Sequence, residues 1–196
     1  ATILLSSDTH GDEKLFVPIN VAKKVVALDR ESQLDSVSRS EFLQKLTLIQ
    51  KDLVRVRIEA LLQRRDYSTF ELSEKLRLDG FFIPVVEKSV ARAVEVGLLN
   101  DQRYADLYVR SKVSQGWGPL KIARELKQRG IELTLLDGWP DTYLPLENQR
   151  EHAHMLAQRK RLTGKNDYGK IVRFLAAKGY PLGICTDVAK QMLRDV

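Results

Sequence analysis

Several features that mark secreted, membrane-bound or metal-binding proteins are missing from this sequence. Its single cysteine, Cys185, excludes an internal disulfide and any multi-cysteine metal site, and it suits the reducing environment of the cytoplasm. No apolar run approaches the roughly 20 residues of a membrane-spanning helix, and the first residues do not resemble a signal peptide. We therefore expect a soluble cytoplasmic protein without a membrane anchor, in which Cys185 is a small buried apolar residue.

Motifs for catalysis or cofactor binding are also missing. The only close pair of histidines is His152 and His154, and residues two apart on a helix point in different directions, so they cannot form a zinc pair. The glycines at 116–118 are followed by proline instead of the Lys and Ser or Thr of a phosphate loop. Carboxylate pairs such as Glu71 with Glu74 lie beside basic residues, which is typical of solvated ion pairs. We predict no enzyme activity, no metal site and no cofactor.

The positive charge of the chain is concentrated in two blocks. The net charge is +6, although residues 1–50 contribute −1 and residues 132–146 contribute −3. Residues 51–131 and residues 147–196 each contribute +5. An anionic partner is therefore expected to bind the last three quarters of the chain.

An internal repeat with a period near 50 residues organises the same part of the chain. In each of three copies, a short amphipathic helix leads to a glycine, at Gly80, Gly130 and Gly179, and an apolar residue follows that glycine. A glycine in the left-handed conformation ends such a helix, while the next apolar residue folds back on the last turn. The sequence therefore predicts one way of ending a helix that is used three times.

Each copy is predicted to contain three helices. A third helix follows each glycine, but in the second copy Gly138, Pro140 and Pro145 interrupt the pattern, so that this helix is expected to be short or broken. A three-helix unit of this size is too small to bury its apolar face alone, which favours tandem packing. The longer first helices are predicted at residues 52–65, 101–115 and 147–162.

The first 50 residues have a different pattern. Alternating apolar and polar residues at 2–5 and 15–19, with His10 to Asp12 as the turn, predict a β-hairpin. A helix through Val21 and Val25 follows, and a second helix begins at the capping box from Ser38 to Glu41.

The predicted fold is therefore mainly α. Three tandem three-helix repeats form an elongated, curved molecule, preceded by a small β-hairpin and helix. The predicted domains are the N-terminal residues 1–50 and the repeats 51–99, 100–146 and 147–196.

Basic residues cluster on the helices of the second and third repeats, with few acidic neighbours. Such stripes bind phosphates or acidic protein surfaces, and ordinary solvated helix faces are the alternative interpretation. Arg103 is unusual because it lies in the first turn of its helix, where a positive charge opposes the helix dipole; a partner such as Asp101 or a binding role would explain it. The candidate contact residues are Arg103, Arg110, Lys112, Lys121, Arg124 and Lys127, with a lesser share from Arg159, Arg161, Lys170 and Arg173.

Two motifs in the centre of the chain carry a family resemblance. Residues 97–105 read GLLNDQRYA and residues 116–119 read GWGP, followed by Ile122, Glu125-Leu126 and Gly130-Ile131. Together they resemble the RecX family, whose members regulate the RecA recombinase. The resemblance covers about residues 53–195, whereas the first 50 residues match only loosely.

The resemblance implies tandem three-helix repeats and a negative modulator without enzyme activity. Such a modulator lies in the helical groove of the RecA filament on single-stranded DNA, inhibits ATP hydrolysis and strand exchange, and blocks filament growth or promotes disassembly, in recombination, DNA repair and the SOS response. The expected partner is therefore the RecA filament on single-stranded DNA, with weak direct DNA binding, and the protein is expected to be a monomer. Leu99, Tyr104 and residues 116–119 are expected to serve folding more than contact.

A direct nucleic-acid-binding protein is the alternative, because three-helix units resemble helix-turn-helix modules. A direct binder should associate tightly with naked DNA and with a steep dependence on salt. A filament modulator should act on RecA at concentrations too low to coat the DNA.

Overall fold

The computed structural model describes residues 1–7, 11–34 and 37–194, and these residues form a β-hairpin and nine α-helices. The hairpin pairs strand β1 (Thr2–Ser7) with strand β2 (Gly11–Phe16) in an antiparallel register from Thr2 opposite Phe16 to Ser7 opposite Gly11. The predicted turn residue His10 lies outside the described residues. Gly11 and Asp12, predicted as turn residues, belong to β2 because the pairing continues to Gly11.

The second strand also ends earlier than predicted, before Pro18. Helix α1 (Ile19–Arg30) begins directly after this proline, whose fixed φ of −56° and missing N–H suit a helix start and not a strand. The predicted strand over residues 15–19 is therefore wrong at its carboxyl end. Val21 and Val25 of α1 are buried, as their spacing predicts.

Helix α2 (Arg39–Leu62) is longer than the sequence predicts. It begins at the predicted capping box, in which the Glu41 N–H donates to the Ser38 hydroxyl and the Ser38 N–H donates to the Glu41 carboxylate. The helices expected to begin at residues 38 and 52 are one continuous helix, because no glycine or proline interrupts the chain between them. The apolar stripe of α2 runs through Leu46, Val54 and Ile58.

The first repeat continues with two helices. Helix α3 (Thr69–Leu78) begins at a second capping box, from Ser68 to Glu71, and helix α4 (Ile83–Glu95) packs against both α3 and α2. The buried Gln50 of α2 accepts a hydrogen bond at its Oε1 from the Phe82 N–H at 2.8 Å, which fixes the start of α4 against α2.

The second repeat has two full helices, α5 (Asp101–Ser114) and α6 (Pro119–Gln128). Its third helix is reduced to a 3₁₀ turn, Leu133–Leu135, which confirms the predicted interruption. The space of a third helix is filled by side chains from the loop, since Leu136, Trp139 and Tyr143 pack on the core of this repeat.

The third repeat has three helices: α7 (Leu146–Gln158), α8 (Asp167–Lys178) and α9 (Leu182–Arg194). Its core includes Ile171, Leu175 and Ile184, and the buried Cys185 confirms the prediction of a small core residue. The Cys185 thiol donates to the Tyr180 carbonyl at 3.4 Å, and burial raises the pKa of this thiol.

The predicted way of ending a helix is present in all three repeats. Gly80, Gly130 and Gly179 have φ values of +94°, +69° and +91°, the left-handed conformation that glycine adopts without steric cost. After each glycine, the N–H of the next residue donates to a carbonyl five residues earlier, and that next residue is buried. These three residues are Phe81, Ile131 and Tyr180.

The chain divides into two compact units, residues 1–100 and residues 101–196. The first unit contains the hairpin, α1, α2 and the rest of the first repeat around one core. The second unit contains the second and third repeats. The finer division into one N-terminal domain and three repeat domains stays a prediction.

Candidate functional site

All ten basic residues singled out from the sequence lie in the second compact unit. Eight of them are exposed, whereas Lys112 and Lys121 are half-buried. Arg103 is exposed in the first turn of α5, as predicted. The structure distributes the ten over the following elements: α5 carries Arg103, Arg110 and Lys112; α6 carries Lys121, Arg124 and Lys127; the segment after α7 carries Arg159 and Arg161; and α8 carries Lys170 and Arg173.

Two of the ten cations are neutralised by carboxylates of their own helices. The Arg110 Nε donates to Asp106 at 2.9 Å, and the Tyr143 hydroxyl donates to the same carboxylate at 3.0 Å. The hydrogen bond from Arg110 is the main reason why the pKa of Asp106 lies below its ordinary value. Arg110 is therefore part of a structural network that ties α5 to the loop carrying Tyr143.

Lys170 belongs to a second local network, at the start of α8. It donates to Asp167 at 3.1 Å and also to the Thr163 hydroxyl. Burial of Asp167 would raise its pKa, but the hydrogen bonds from the Gly164 N–H, Lys170 and Thr163 together hold the pKa below the ordinary value. Asp167 thus closes the turn before α8, and Lys170 stabilises it.

Lys112 and Lys121 are held by an aromatic ring in place of a carboxylate. The Lys121 Nζ lies 3.8 Å from the centroid of the Trp117 ring, and the Lys112 Nζ lies 4.8 Å from the same centroid. Lys112 is also 5.3 Å from the Tyr108 ring and donates to the neutral side chain of Gln115 at 3.2 Å. Both distances to Trp117 are within the range of an attractive cation–π interaction. We call Trp117, Lys112 and Lys121 the Trp117 cluster.

Hydrogen bonds between the second and third repeats fix the segment that carries Trp117. The Gly118 N–H donates to the Lys178 carbonyl at 2.8 Å, and the Leu120 N–H donates to the Gly179 carbonyl at 3.0 Å. The N–H groups at the start of α6, which have no carbonyl partner within their own helix, are thus satisfied by carbonyls at the end of α8. The positive end of the α6 dipole therefore meets the negative end of the α8 dipole. We call this contact the α6–α8 joint.

The α6–α8 joint leaves no room for side chains at two glycines. A Cβ at Gly118 would lie 2.4 Å from the Gly179 carbonyl, and a Cβ at Gly179 would lie 2.3 Å from the Cβ of Lys121. The Tyr180 hydroxyl donates to the Gly116 carbonyl at 3.4 Å, on the other side of Trp117. These contacts give the backbone of the GWGP segment a structural role, because they join the second repeat to the third.

The other five candidates, Arg124, Lys127, Arg159, Arg161 and Arg173, are exposed. Within the described part of the chain, none of the five forms an ion pair. They supply positive charge that no carboxylate of the described residues neutralises.

Sequence reasoning missed the aromatic partners of these cations. Trp117 does pack on the core of the second repeat, but lysines also stand five positions before it and four positions after it in the sequence. Sequence reasoning also missed a similar contact in the third repeat, where Lys160 and Lys178 lie 4.2 and 5.9 Å from the Phe174 ring centroid. Arg129, which lies 4.8 Å from the Tyr108 centroid, is paired with Glu125 at 2.9 Å.

The residues considered for catalysis are not assembled into a site. His152 and His154 are half-buried on α7, and Glu71 and Glu74 pair with Arg65 and Arg77, respectively. Among the residues that the structure describes, no group of three or more His, Cys, Asp or Glu side chains is placed to hold a metal ion. In the same residues, no helix combines the length and the apolar character that a membrane crossing needs.

The fold defines a class, the helical-repeat proteins, and the second compact unit of this chain carries a basic surface. Comparison with known proteins identifies the family within that class. Residues 100–137 match the family model described as RecX, second three-helix domain. The regulatory protein RecX of Legionella pneumophila (strain Corby) is 31% identical over 137 residues, which cover 67% of this chain and 89% of the relative. The chain belongs to the RecX family.

Further relatives agree with this assignment. The regulatory protein RecX of Pseudomonas putida (strain GB-1) is 34% identical over 131 residues, covering 62% of this chain and 80% of the relative. The crystal structure of RecX from Lactobacillus salivarius aligns with a TM-score of 0.62 and 22% identity over 75% of this chain and 98% of that one. A crystal structure of a regulatory protein RecX aligns with a TM-score of 0.65 and 20% identity over 100% of this chain and 95% of that one. Both structures are similar in fold.

Proposed function

We propose that this chain is a negative modulator of the RecA recombinase. It binds the RecA filament on single-stranded DNA, in the helical groove of the filament, and inhibits ATP hydrolysis, strand exchange and filament growth during recombination and DNA repair. It acts as a monomer in the cytoplasm, and it performs no chemistry of its own. Membership of the RecX family, a family of regulatory proteins, supports this proposal.

The observation that carries the proposal is the collection of basic residues in one compact unit, residues 101–196. A filament of protein on single-stranded DNA offers phosphates and acidic side chains at regular intervals. A unit that presents several cations from two repeats meets more than one of these groups at once, and each additional contact raises the effective affinity without a new binding partner.

Five of the ten candidate residues are exposed and form no ion pair within the described part of the chain, and these five carry most of the proposed contact. They are Arg124 and Lys127 on α6 together with Arg159, Arg161 and Arg173 of the third repeat. Arg103 contributes from the start of α5. Arg110 and Lys170 contribute less than the sequence analysis expects, because Asp106 and Asp167 already neutralise much of their charge.

The test is ATP hydrolysis by the cognate RecA on single-stranded DNA, titrated with this protein at amounts too low to coat the DNA. Suppression at such amounts is the expected result. The triple variant Arg124→Glu, Lys127→Glu, Arg173→Glu should lose the suppression while its helical circular dichroism stays unchanged, because all three residues are exposed. Full suppression by this variant, or none by the unaltered protein, would contradict the proposal.

The second candidate function is direct binding of nucleic acid. It is favoured by the two lysines of the Trp117 cluster, because cations held beside an aromatic ring are typical of surfaces that bind single strands. Tight binding to naked DNA with a steep salt dependence, combined with no effect on RecA at low concentration, would select it.

A further inference from the structure

We infer that the Trp117 cluster is a contact site for the phosphate backbone of a single-stranded nucleic acid, with Lys112 and Lys121 binding phosphates and Trp117 lying beside the bases. This inference rests on the proposed function, in which the protein binds RecA on single-stranded DNA. It assigns this part of the surface to the DNA strand and not to the RecA protein. No sequence motif assigns the site. It follows from three observations on α5, α6 and α8.

The first observation is that two cations share one ring. Lys112 comes from the last turn of α5 and Lys121 from the first turn of α6, and their Nζ atoms lie 4.8 and 3.8 Å from the Trp117 centroid. Neither lysine forms an ion pair with a carboxylate within the described part of the chain. The ring therefore holds two positive charges in place while leaving them available to an anion.

The second observation is that the cluster is fixed before any ligand arrives. The Trp117 segment is held on one side by the Gly118 N–H, which donates to Lys178, and on the other by Tyr180, which donates to Gly116. The stem of Lys121 packs against Gly179, where even a methyl group would not fit. Binding to such a surface avoids part of the entropy cost of ordering flexible lysines.

The third observation is the nature of the surface around the lysines. Trp117 and Tyr108 are half-buried rings with cations over them, and Tyr108 stacks on Tyr104 with ring centroids 6.0 Å apart. A single strand presents both phosphates and unstacked bases, so that lysines and aromatic rings contribute together. An acidic protein surface would use the lysines alone, which favours the nucleic acid as the ligand.

The other basic groups in this unit lack this combination. Arg110, which lies 5.4 Å from the Tyr143 ring centroid, is tied to Asp106, and Lys170 is tied to Asp167. Within the part of the chain that the structure describes, no aromatic ring holds Arg124, Arg159, Arg161 or Arg173. The contact in the third repeat is looser, since Lys178 lies 5.9 Å from the Phe174 centroid, and phenylalanine is a smaller stacking surface than tryptophan. Its lysines, Lys160 and Lys178, therefore provide a matched control of equal charge.

The experiment measures binding of a fluorescein-labelled oligodeoxythymidylate to the full chain by anisotropy, at several salt concentrations and without RecA. The variant Lys112→Gln, Lys121→Gln should bind roughly tenfold more weakly at low salt, and the slope of log affinity against log salt should fall by about 1.4, which is the value for two contacts to a single strand. The control Lys160→Gln, Lys178→Gln should change both quantities much less. A second readout uses Trp139→Phe, which leaves Trp117 as the only tryptophan, and the oligonucleotide should quench its fluorescence.

Three results would overturn the inference: no binding of the oligonucleotide by the unaltered chain, equal losses in the two double variants, or unchanged binding by Lys112→Gln, Lys121→Gln. If that last variant keeps DNA binding but no longer inhibits RecA, the cluster contacts an acidic protein surface. If the unaltered chain fails to inhibit RecA but its DNA binding depends on the two lysines, the proposed function is wrong and the site stands.

Discussion

The short middle helix begins in different ways in the first and second repeats. In both, an aromatic residue stands just before the N-cap, Tyr67 before Ser68 and Trp117 before Gly118, and a cation lies over its ring. The third helical residue is Glu71 in the first repeat and Lys121 in the second. The third residue of the middle helix therefore carries a negative charge in the first repeat and a positive charge in the second.

The first repeat caps its own helix. Glu71 completes the capping box with Ser68 and also pairs with Arg65 at 3.2 Å, so that the cation over Tyr67 has a carboxylate beside it. This arrangement satisfies the N–H groups of α3 from within the repeat. It is a structural use of the aromatic residue and the cation.

The second repeat is capped by its neighbour instead. Gly118 has no side chain to accept hydrogen bonds, and carbonyls of Lys178 and Gly179 in the third repeat lie at the start of α6. An acidic residue is therefore not needed in the first turn, and the carbonyl end of α8 offsets the unfavourable position of a lysine there. The α6–α8 joint therefore allows a lysine at this position of α6, and the proposed nucleic-acid site uses the charge of that lysine.

Removing the joint should have the largest effect on stability. In Gly118→Ala the new Cβ would lie 2.4 Å from the Gly179 carbonyl, and backbone atoms on both sides must move. We expect the free energy of unfolding to fall by about 3 kcal/mol, the upper part of the range for overpacked sites, as measured by urea unfolding of the full chain.

Gly183→Ala is the matched control for this prediction. A Cβ at Gly183 meets nothing within 4 Å, and the residue lies in α9, so alanine should be neutral or slightly stabilising. Equal unfolding free energies for the two alanine variants would show that the joint does not hold the second and third repeats together.

An effect of intermediate size should appear only in alkali. The buried residue that follows the helix-ending glycine is Phe81 in the first repeat and Tyr180 in the third. Burial, with Cys185 as a lesser cause, raises the pKa of Tyr180 to about 12. In the unfolded chain the phenol of Tyr180 has its ordinary pKa of about 10, so the unfolded chain loses the phenol proton at a lower pH than the folded chain does. The contribution of Tyr180 to stability is complete below pH 10, falls by about 1 kcal/mol at pH 11 and is lost as the pH passes 12.

The measurement is urea unfolding of the unaltered chain and of Tyr180→Phe between pH 8 and pH 11. The phenylalanine variant should lose less stability over this range than the unaltered chain. Tyr168→Phe changes an exposed tyrosine of the same unit and should keep the original pH dependence. Parallel curves for all three proteins would contradict a buried phenol at position 180.

Features that depend on residues close in sequence are the ones that the sequence predicts. The capping box at Ser38, the three glycines that end helices and the interrupted third helix of the second repeat are all confirmed, because each depends on a few neighbouring residues. The error in α2 is of the opposite kind. Two apolar patterns in succession do not reveal whether a helix continues between them when no residue breaks it.

The candidate site was only partly predictable, because its geometry depends on residues that are far apart in the sequence. Lys112 and Lys121 are recognisable as members of a basic stripe, but their positions over Trp117 depend on a turn that Lys178 and Gly179 hold from some 60 residues away in the sequence. The neutralisation of Arg110 involves an aspartate one turn before it, a pattern visible in the sequence, whereas the Tyr143 hydroxyl comes from a loop with no regular pattern. Hydrogen bonds between repeats leave no signal in a single sequence.

The smallest effect on the free energy of unfolding is expected from reversing the charge of Lys121, where the α6–α8 joint is present. Lys121→Glu loses a cation–π interaction and the attraction to the carbonyl end of α8, but places a carboxylate near the start of α6. These contributions are each below about 1 kcal/mol and opposite in sign, so we expect the unfolding free energy to change by less than about 0.5 kcal/mol. The reverse change, Glu71→Lys, removes a capping box and an ion pair together and should cost about 1.5 kcal/mol. Equal costs, measured by urea unfolding under the same conditions, would mean that the joint does not compensate the lysine and that the two helix starts are energetically alike.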